Sequence, residues 1–183
     1  MNILFMKTRN VKSPNRAYPN STGVSFAAAT DFFVPEYDPK FVEDLVSKNP
    51  HKEFYEYSVS PNCDSMSITI APHGRILIPS GIRVIIGDPN TCLLAVNKSG
   101  IAANKGLIVG SCLVDSDYTG EVHISLINTN DEPVQIKTGD KVVQFMHVPV
   151  LCTSYQEVCA EDFDKLKPDS NRGTGGFGSS GTV

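Results

Sequence analysis

At 183 residues, 40% hydrophobic and 20% charged, the chain is long enough for one domain with its own packed core and has an ordinary soluble composition. Its formal net charge of −4 offers no basic excess to displace phosphate counterions, which sets nucleic acid aside as a main partner and leaves a small anion open. No apolar run approaches the roughly 20 residues of a membrane helix, so no membrane partner is expected. The five cysteines (Cys63, Cys92, Cys112, Cys152, Cys159) are odd in number and form no C-x-x-C pair, which supports neither a disulfide framework nor a zinc site and fits a reducing, cytoplasmic setting.

In chain order, Met1–Lys7 lacks a signal-peptide layout and reads as a first strand. Ala28–Pro35 sets the carboxylate of Asp31 among apolar neighbours, where it needs a partner. Asp38–Lys48 carries Phe41, Val42, Leu45 and Val46 at helical spacing with Pro39 in the first turn, and predicts a helix. From about Glu36 to His73 the chain makes an excursion between core strands; its Phe54, Tyr55 and Tyr57 read first as a local core and second as a partner-binding surface. Strands are expected over Ser65–Ala71, Ile82–Ile86 and Cys92–Val96, the last two separated by the turn Gly87–Asn90. Leu113–Glu121 reads as a β-hairpin, followed by a strand over Glu121–Thr129. The turn Thr138–Asp140 precedes a strand over Lys141–Val150, and Ala160–Leu166 is a weaker, acidic helix. Many short strands at about ten-residue spacing indicate an all-β antiparallel barrel or sandwich, such as a jelly roll.

Several segments carry groups suited to chemistry. In the Leu113–Glu121 turn, Asp115 can orient and deprotonate a water beside Tyr118, although Asp and Gly also favour plain solvated turns. Asn97–Ile101 offers the charge of Lys98, the hydroxyl and N–H of Ser99, and close approach at Gly100, a set that suits phosphate oxygens or an ordinary polar turn. Gln144 lies in an apolar strand as a satisfied core amide or a ligand contact. The last thirteen residues hold five glycines between Arg172 and Gly181, with one Arg and one Phe, and read as a mobile tail or as a lid that orders over a ligand.

The ordered series ATDFFVP, NKSGIA, LVDSDYTGE, GDKVVQFMHVPV and RGTGGFGSSG resembles the five motifs of the trimeric dUTPases, the dUTP diphosphatases of phages, viruses and cells. The resemblance covers about 23–34 and then Arg75 to the C-terminus. It implies a dUTPase-like jelly-roll or β-clip barrel over 1–168 with an insertion over about 36–73, and a flexible arm over 169–183 that completes an active site. It implies a homotrimer with shared sites and Mg²⁺-dependent hydrolysis of dUTP to dUMP and pyrophosphate, which limits uracil in DNA and supplies dUMP for thymidylate synthesis. The metal would be held mainly by substrate phosphates and water.

By the same resemblance Asp115 would hold the attacking water, and Tyr118 would stack under the deoxyribose and exclude a 2′-hydroxyl. Backbone groups of Cys112, Leu113 and Val114 would bond the uracil edge. Lys98, Ser99 and Gly100 would touch phosphates with Gln144 near them. Arg172 would grip the γ-phosphate, Phe177 would cover the base and Gly178 would approach the phosphates. Asp31 would support the site, and His123 would stand beside the substrate. Three features depart from the family pattern: Lys98 replaces the usual Arg, Cys112 stands where many members have Gly, and the 36–73 segment matches no motif. A same-fold dCTP deaminase and a nucleotide-gated interaction protein, docking a partner through 36–73, stand as alternatives.

Overall fold

The structure, a computed structural model, describes residues 3–22, 25–171 and 173–175. The chain divides into two units between Leu151 and Cys152.

Among the described residues, the first unit is built from twelve strands, two α-helices and a short 3-10 helix (Lys52–Phe54). In chain order these are β1 (Leu4–Lys7), β2 (Asn15–Arg16), β3 (Thr30–Phe33), α1 (Pro39–Lys48), β4 (Tyr55–Val59), β5 (Met66–Ile70) and β6 (Arg75–Ile85). There follow β7 (Thr91–Asn97), α2 (Ser99–Lys105), β8 (Leu107–Val109), β9 (Leu113–Val114), β10 (Glu121–Asn128), β11 (Val134–Lys137) and β12 (Lys141–Pro149). They form three antiparallel sheets, ordered β1-β6-β10-β8, β11-β5-β4 and β2-β3-β12-β7-β9. The all-β expectation holds; among the described residues the strands make separate sheets and no sheet closes on itself.

The cores of these strands follow from alternation. Along β10, Val122, Ile124, Leu126 and Asn128 are buried while the residues between them are not, because successive side chains leave opposite faces of a strand. β5 buries Met66, Ile68 and Ile70 in the same way. The long β6 bends at Pro79-Ser80-Gly81, where Gly81 takes a positive φ of 75°. β10 pairs with β6 on both sides of this point, with a register shift between Glu121 and His123, while β1 pairs with β6 only after it.

Phe41, Leu45, Tyr55, Met66, Ile68 and Ile70 of the 36–73 segment contribute to this core. Asp38 caps α1, its side chain accepting from the Phe41 N–H at 2.8 Å, and Pro39 sits in the first turn where its missing N–H costs nothing. Phe41 and Leu45 are fully buried. Asn49, just past the helix, behaves like a strand residue: its Nδ2 donates to Leu77 O at 2.7 Å and its Oδ1 accepts from Leu77 N at 2.8 Å. Tyr55 is buried, Phe54 is half-buried under the Arg75 guanidinium at 4.8 Å, and Tyr57 is exposed, so the local-core reading describes the first two.

The second unit contains α3 (Ala160–Leu166), as expected from its sequence. Glu161 and Asp162 lie in its first turn and Lys165 in its last, an order that matches the helix dipole. No helix among the described residues is long and apolar enough to cross a membrane.

Candidate active site

Six of the residues singled out from the sequence line one pocket of about 190 Å³: Cys112, Leu113, Val114, Asp115, Tyr118 and His123. Ser111, Val122 and Phe145 complete its wall. The pocket exists because β9 and β10 diverge. The hairpin expectation fails here: β9 pairs with β7, and β10 pairs with β6 and β8. The turn between them therefore spans two sheets and leaves a cleft where a hairpin would have closed a ladder. Ala95 N–H donates to Cys112 O at 2.6 Å, which pins the start of β9 to β7.

Asp115 is exposed at the mouth, free to meet water or ligand. Tyr118 is held. Its N–H donates to Asp115 O at 3.2 Å and its hydroxyl donates to Glu121 O at 2.9 Å. The ring lies over Gly120 so closely that a Cβ there would sit 2.4 Å from the hydroxyl oxygen. Arg83 Nε donates to Thr119 O at 2.7 Å and fastens the same turn from β6. His123, half-buried on β10, has its pKa pushed below the ordinary 6.5 chiefly by burial, against the pull of Glu121. Burial raises the pKa of the Cys92 thiol on β7, and the negative charge of Asp115 adds to that rise.

A second cluster forms around Asp31, which is fully buried on β3. Gln144 Nε2 donates to its Oδ1 at 2.9 Å and Lys98 Nζ donates to the same oxygen at 3.1 Å. Lys141 Nζ stands 3.5 Å from Oδ2, which makes no hydrogen bond. The partner that Asp31 requires is thus supplied three times over, and Lys98 reaches it without the fork of an arginine. Gln144 faces this cluster while the next residue, Phe145, faces the pocket, as strand alternation dictates.

Ser99 and Gly100 open α2 instead of lying in an irregular loop. Lys98 is the N-cap and makes no side-chain capping bond, so the first N–H groups of the helix have no side-chain acceptor from it. A Cβ on Gly100 would meet nothing within 4 Å, so no neighbour within this chain requires glycine there. The sequence signals for α2 are Ala102, Ala103 and Gly106; Gly106 ends the helix at φ 60°. Arg172, Phe177 and Gly178 lie outside the described residues.

Sequence reasoning missed Lys141, Phe145, Arg83 and Glu121. Lys141 stands three residues before Gln144, a spacing that strict alternation would put on opposite faces; the register of β12 on β3 shifts between Lys141 and Val143, and both side chains reach Asp31. Nothing local in the sequence marks Arg83, and Glu121 ends the LVDSDYTGE motif without a sign of what it holds.

Comparison with known proteins bears on the family and the fold. Residues 63–181 match the dUTPase family model. A deoxyuridine 5′-triphosphate nucleotidohydrolase of Actinobacillus pleuropneumoniae serotype 3 (strain JL03) is 38% identical over 117 residues, which is 63% of this chain and 74% of that protein. One from Legionella pneumophila (strain Paris) is 37% identical over 121 residues, 65% of this chain and 76% of that one. Among solved structures, Staphylococcus bacteriophage 80alpha dUTPase with dUPNHPP is similar with a TM-score of 0.67 and 17% identity, covering 98% of both chains. Native EIAV dUTPase is similar with a TM-score of 0.56 and 17% identity, covering 87% of this chain and 98% of that one. These structural likenesses speak for the fold. The family match begins at residue 63, so Asp31 joins the site through its contacts with Gln144 and Lys98.

Proposed function

This chain belongs to the dUTPase family and hydrolyses dUTP, and we propose that water attacks the α-phosphorus to give dUMP and pyrophosphate. The observation that carries the mechanism is the pocket in which Cys112, Leu113, Val114, Asp115, Tyr118 and His123 converge. Asp115 accepts a proton from the water as its oxygen bonds to phosphorus, and the bridging oxygen leaves with pyrophosphate. Tyr118, clamped to Glu121 O, forms a fixed floor for the sugar with no room for a 2′-hydroxyl. Backbone N–H and C=O groups of Cys112–Val114 read the uracil edge, and the exposed Cys112 thiol narrows the rim. His123, held neutral, adds bulk and a hydrogen-bonding nitrogen without a charge.

Lys98, Ser99 and Gly100 contact the phosphates, Asp31 orients Lys98 and Gln144 beside them, and Arg172, Phe177 and Gly178 close over the γ-phosphate and base. A magnesium ion fits this donor set through the substrate. The ion would be held mainly by substrate phosphate oxygens and water. Bound there it would offset phosphate charge during the attack.

The assembly is a homotrimer with shared sites. Two features support it. The phosphate-side groups around Asp31 and the pocket fall on opposite faces of β12, which suits a site completed by another copy. Leu4, Phe5, Met6 and Ile85 are all exposed along β1 and β6, an apolar face that a neighbour would cover. We propose a cytoplasmic setting; exposed cysteines that form no disulfide, such as Cys63 and Cys112, suit a reducing medium and support it.

The test offers purified protein Mg²⁺ with dUTP, dCTP, dTTP or UTP. Pyrophosphate release from dUTP alone is expected. Ammonia released from dCTP would replace this reading with the deaminase, and no product from dUTP would end it.

A further inference from the structure

Glu121 closes the turn that carries Asp115 and Tyr118, and all three of its oxygens beyond the amide nitrogen's partner are engaged. Oε1 accepts from Gly81 N at 2.6 Å, Oε2 accepts from Arg9 Nη2 at 3.0 Å, and the backbone oxygen accepts from the Tyr118 hydroxyl at 2.9 Å. The same Nη2 of Arg9 donates to Asp44 Oδ2 at 2.8 Å. Asp44 belongs to α1, in the segment that matches no motif of the site. Arg9 Nε and Nη1 make no hydrogen bond, so a single buried nitrogen joins α1 to the turn.

The link is built to stay in place. The Arg9 side chain is only 7% exposed, and its guanidinium lies 5.5 Å from the centre of the Phe41 ring. Burial works against its charge, and Asp44 and Glu121 outweigh that, so its pKa is raised. Gly81 leaves the space that Arg9 occupies: a Cβ there would lie 2.7 Å from Arg9 Cγ. An arginine so enclosed cannot turn to another partner without leaving a buried charge unpaired.

We infer that Asp44 is a positioning residue for Tyr118. It fixes Arg9, Arg9 fixes Glu121, and Glu121 fixes the phenol that separates deoxyribose from ribose. The consequence for selectivity rests on the dUTP reading; the coupling itself rests on the contacts alone. Asp44 is partly exposed, so Asp44→Asn alters the link without opening a core cavity.

Two measurements test it. In the free protein carrying 3-fluorotyrosine, the fluorine line assigned to position 118 by its loss in Tyr118→Phe should shift in Asp44→Asn and return in Asp44→Glu. With nucleotide, the ratio of kcat/KM for dUTP over UTP should fall about 10-fold in Asp44→Asn. Adding Asp44→Asn to Tyr118→Ala should lower the ratio no further than Tyr118→Ala alone, because the two act on one element. An unmoved fluorine line, an unchanged ratio in an active enzyme, or additive losses would overturn the inference and leave Asp44 with a purely structural role. A wild-type protein inactive on dUTP would instead overturn the activity, and the fluorine line would still decide the coupling.

Discussion

Gln144 and Asp31 stand directly opposite each other on β12 and β3, and the Gln144 amide donates to Asp31 Oδ1 at 2.9 Å. The pair joins a polar residue in an apolar strand to a fully buried carboxylate, and each accounts for the other. Removing the carboxylate leaves the Gln144 amide without its acceptor, while Lys98 and Lys141, 26% and 47% exposed, can turn to water. Asp31→Ala should therefore cost about 1–3 kcal/mol, read as a lower midpoint of urea unfolding. Gln144→Ala should cost less, since Lys98 still reaches Oδ1 at 3.1 Å.

Asp115→Asn keeps the size and most of the hydrogen bonding of the side chain but removes the proton acceptor. Turnover of dUTP should fall by about 10³-fold while binding of a non-hydrolysable analogue persists, measured by steady-state kinetics and calorimetry. Unchanged turnover would remove Asp115 as the base.

Gly120→Ala places a methyl group against the Tyr118 hydroxyl, where a Cβ would lie 2.4 Å from its oxygen. The ring must move and its bond to Glu121 O must break. Discrimination between dUTP and UTP should drop by about 10-fold with less effect on thermal stability, because the position is only partly buried.

His123 gives a pH signature of defined sign. Its pKa in the folded protein lies below the ordinary 6.5, so the unfolded chain takes up its proton first as pH falls. The stability this group contributes is fully present above 6.5 and is lost as pH drops from there through the folded value. Urea midpoints measured across that interval should decline more steeply in the wild type than in His123→Gln.

Leu45→Ala should cost about 2–5 kcal/mol, since the side chain is fully buried between α1 and the sheet that contains β6. Deleting 36–73 would remove Phe41, Leu45, Met66, Ile68 and Ile70 from the core together, and the product should fail to fold by circular dichroism.

Particular residues show what can be read from the sequence. β10 and α1 are legible because their apolar residues repeat at the period of the element they form, and β12 because it is a nearly continuous apolar run. Asp31 is legible as a carboxylate in need of partners, and the partners are Lys98, Lys141 and Gln144. The β9–β10 connection is not legible, since Asp-Ser-Asp-Tyr-Thr-Gly turns the chain equally well within one sheet or between two. Strand pairing is settled by distant neighbours: Leu93 opposite Val114, and Ile78 opposite Ile124. α2 is hidden because its opening residues, Lys98-Ser99-Gly100, have the chemistry of a polar turn, and only two alanines and the closing glycine favour a helix. The bond from Arg9 to Glu121 crosses 112 residues, a separation at which no local pattern gives a signal.

Because β9 is bonded to β7 and β10 to β6, the floor and the mouth of the pocket belong to different sheets. Any shear or breathing between those sheets alters the distance from Asp115 to His123, so the site gauges the spacing of the two layers. A nucleotide spanning both would act as a brace across the seam. At a concentration 100 times its dissociation constant it would add about 2.7 kcal/mol to the folded state, and slow amide exchange at β9 and at the start of β10 would be the trace it leaves.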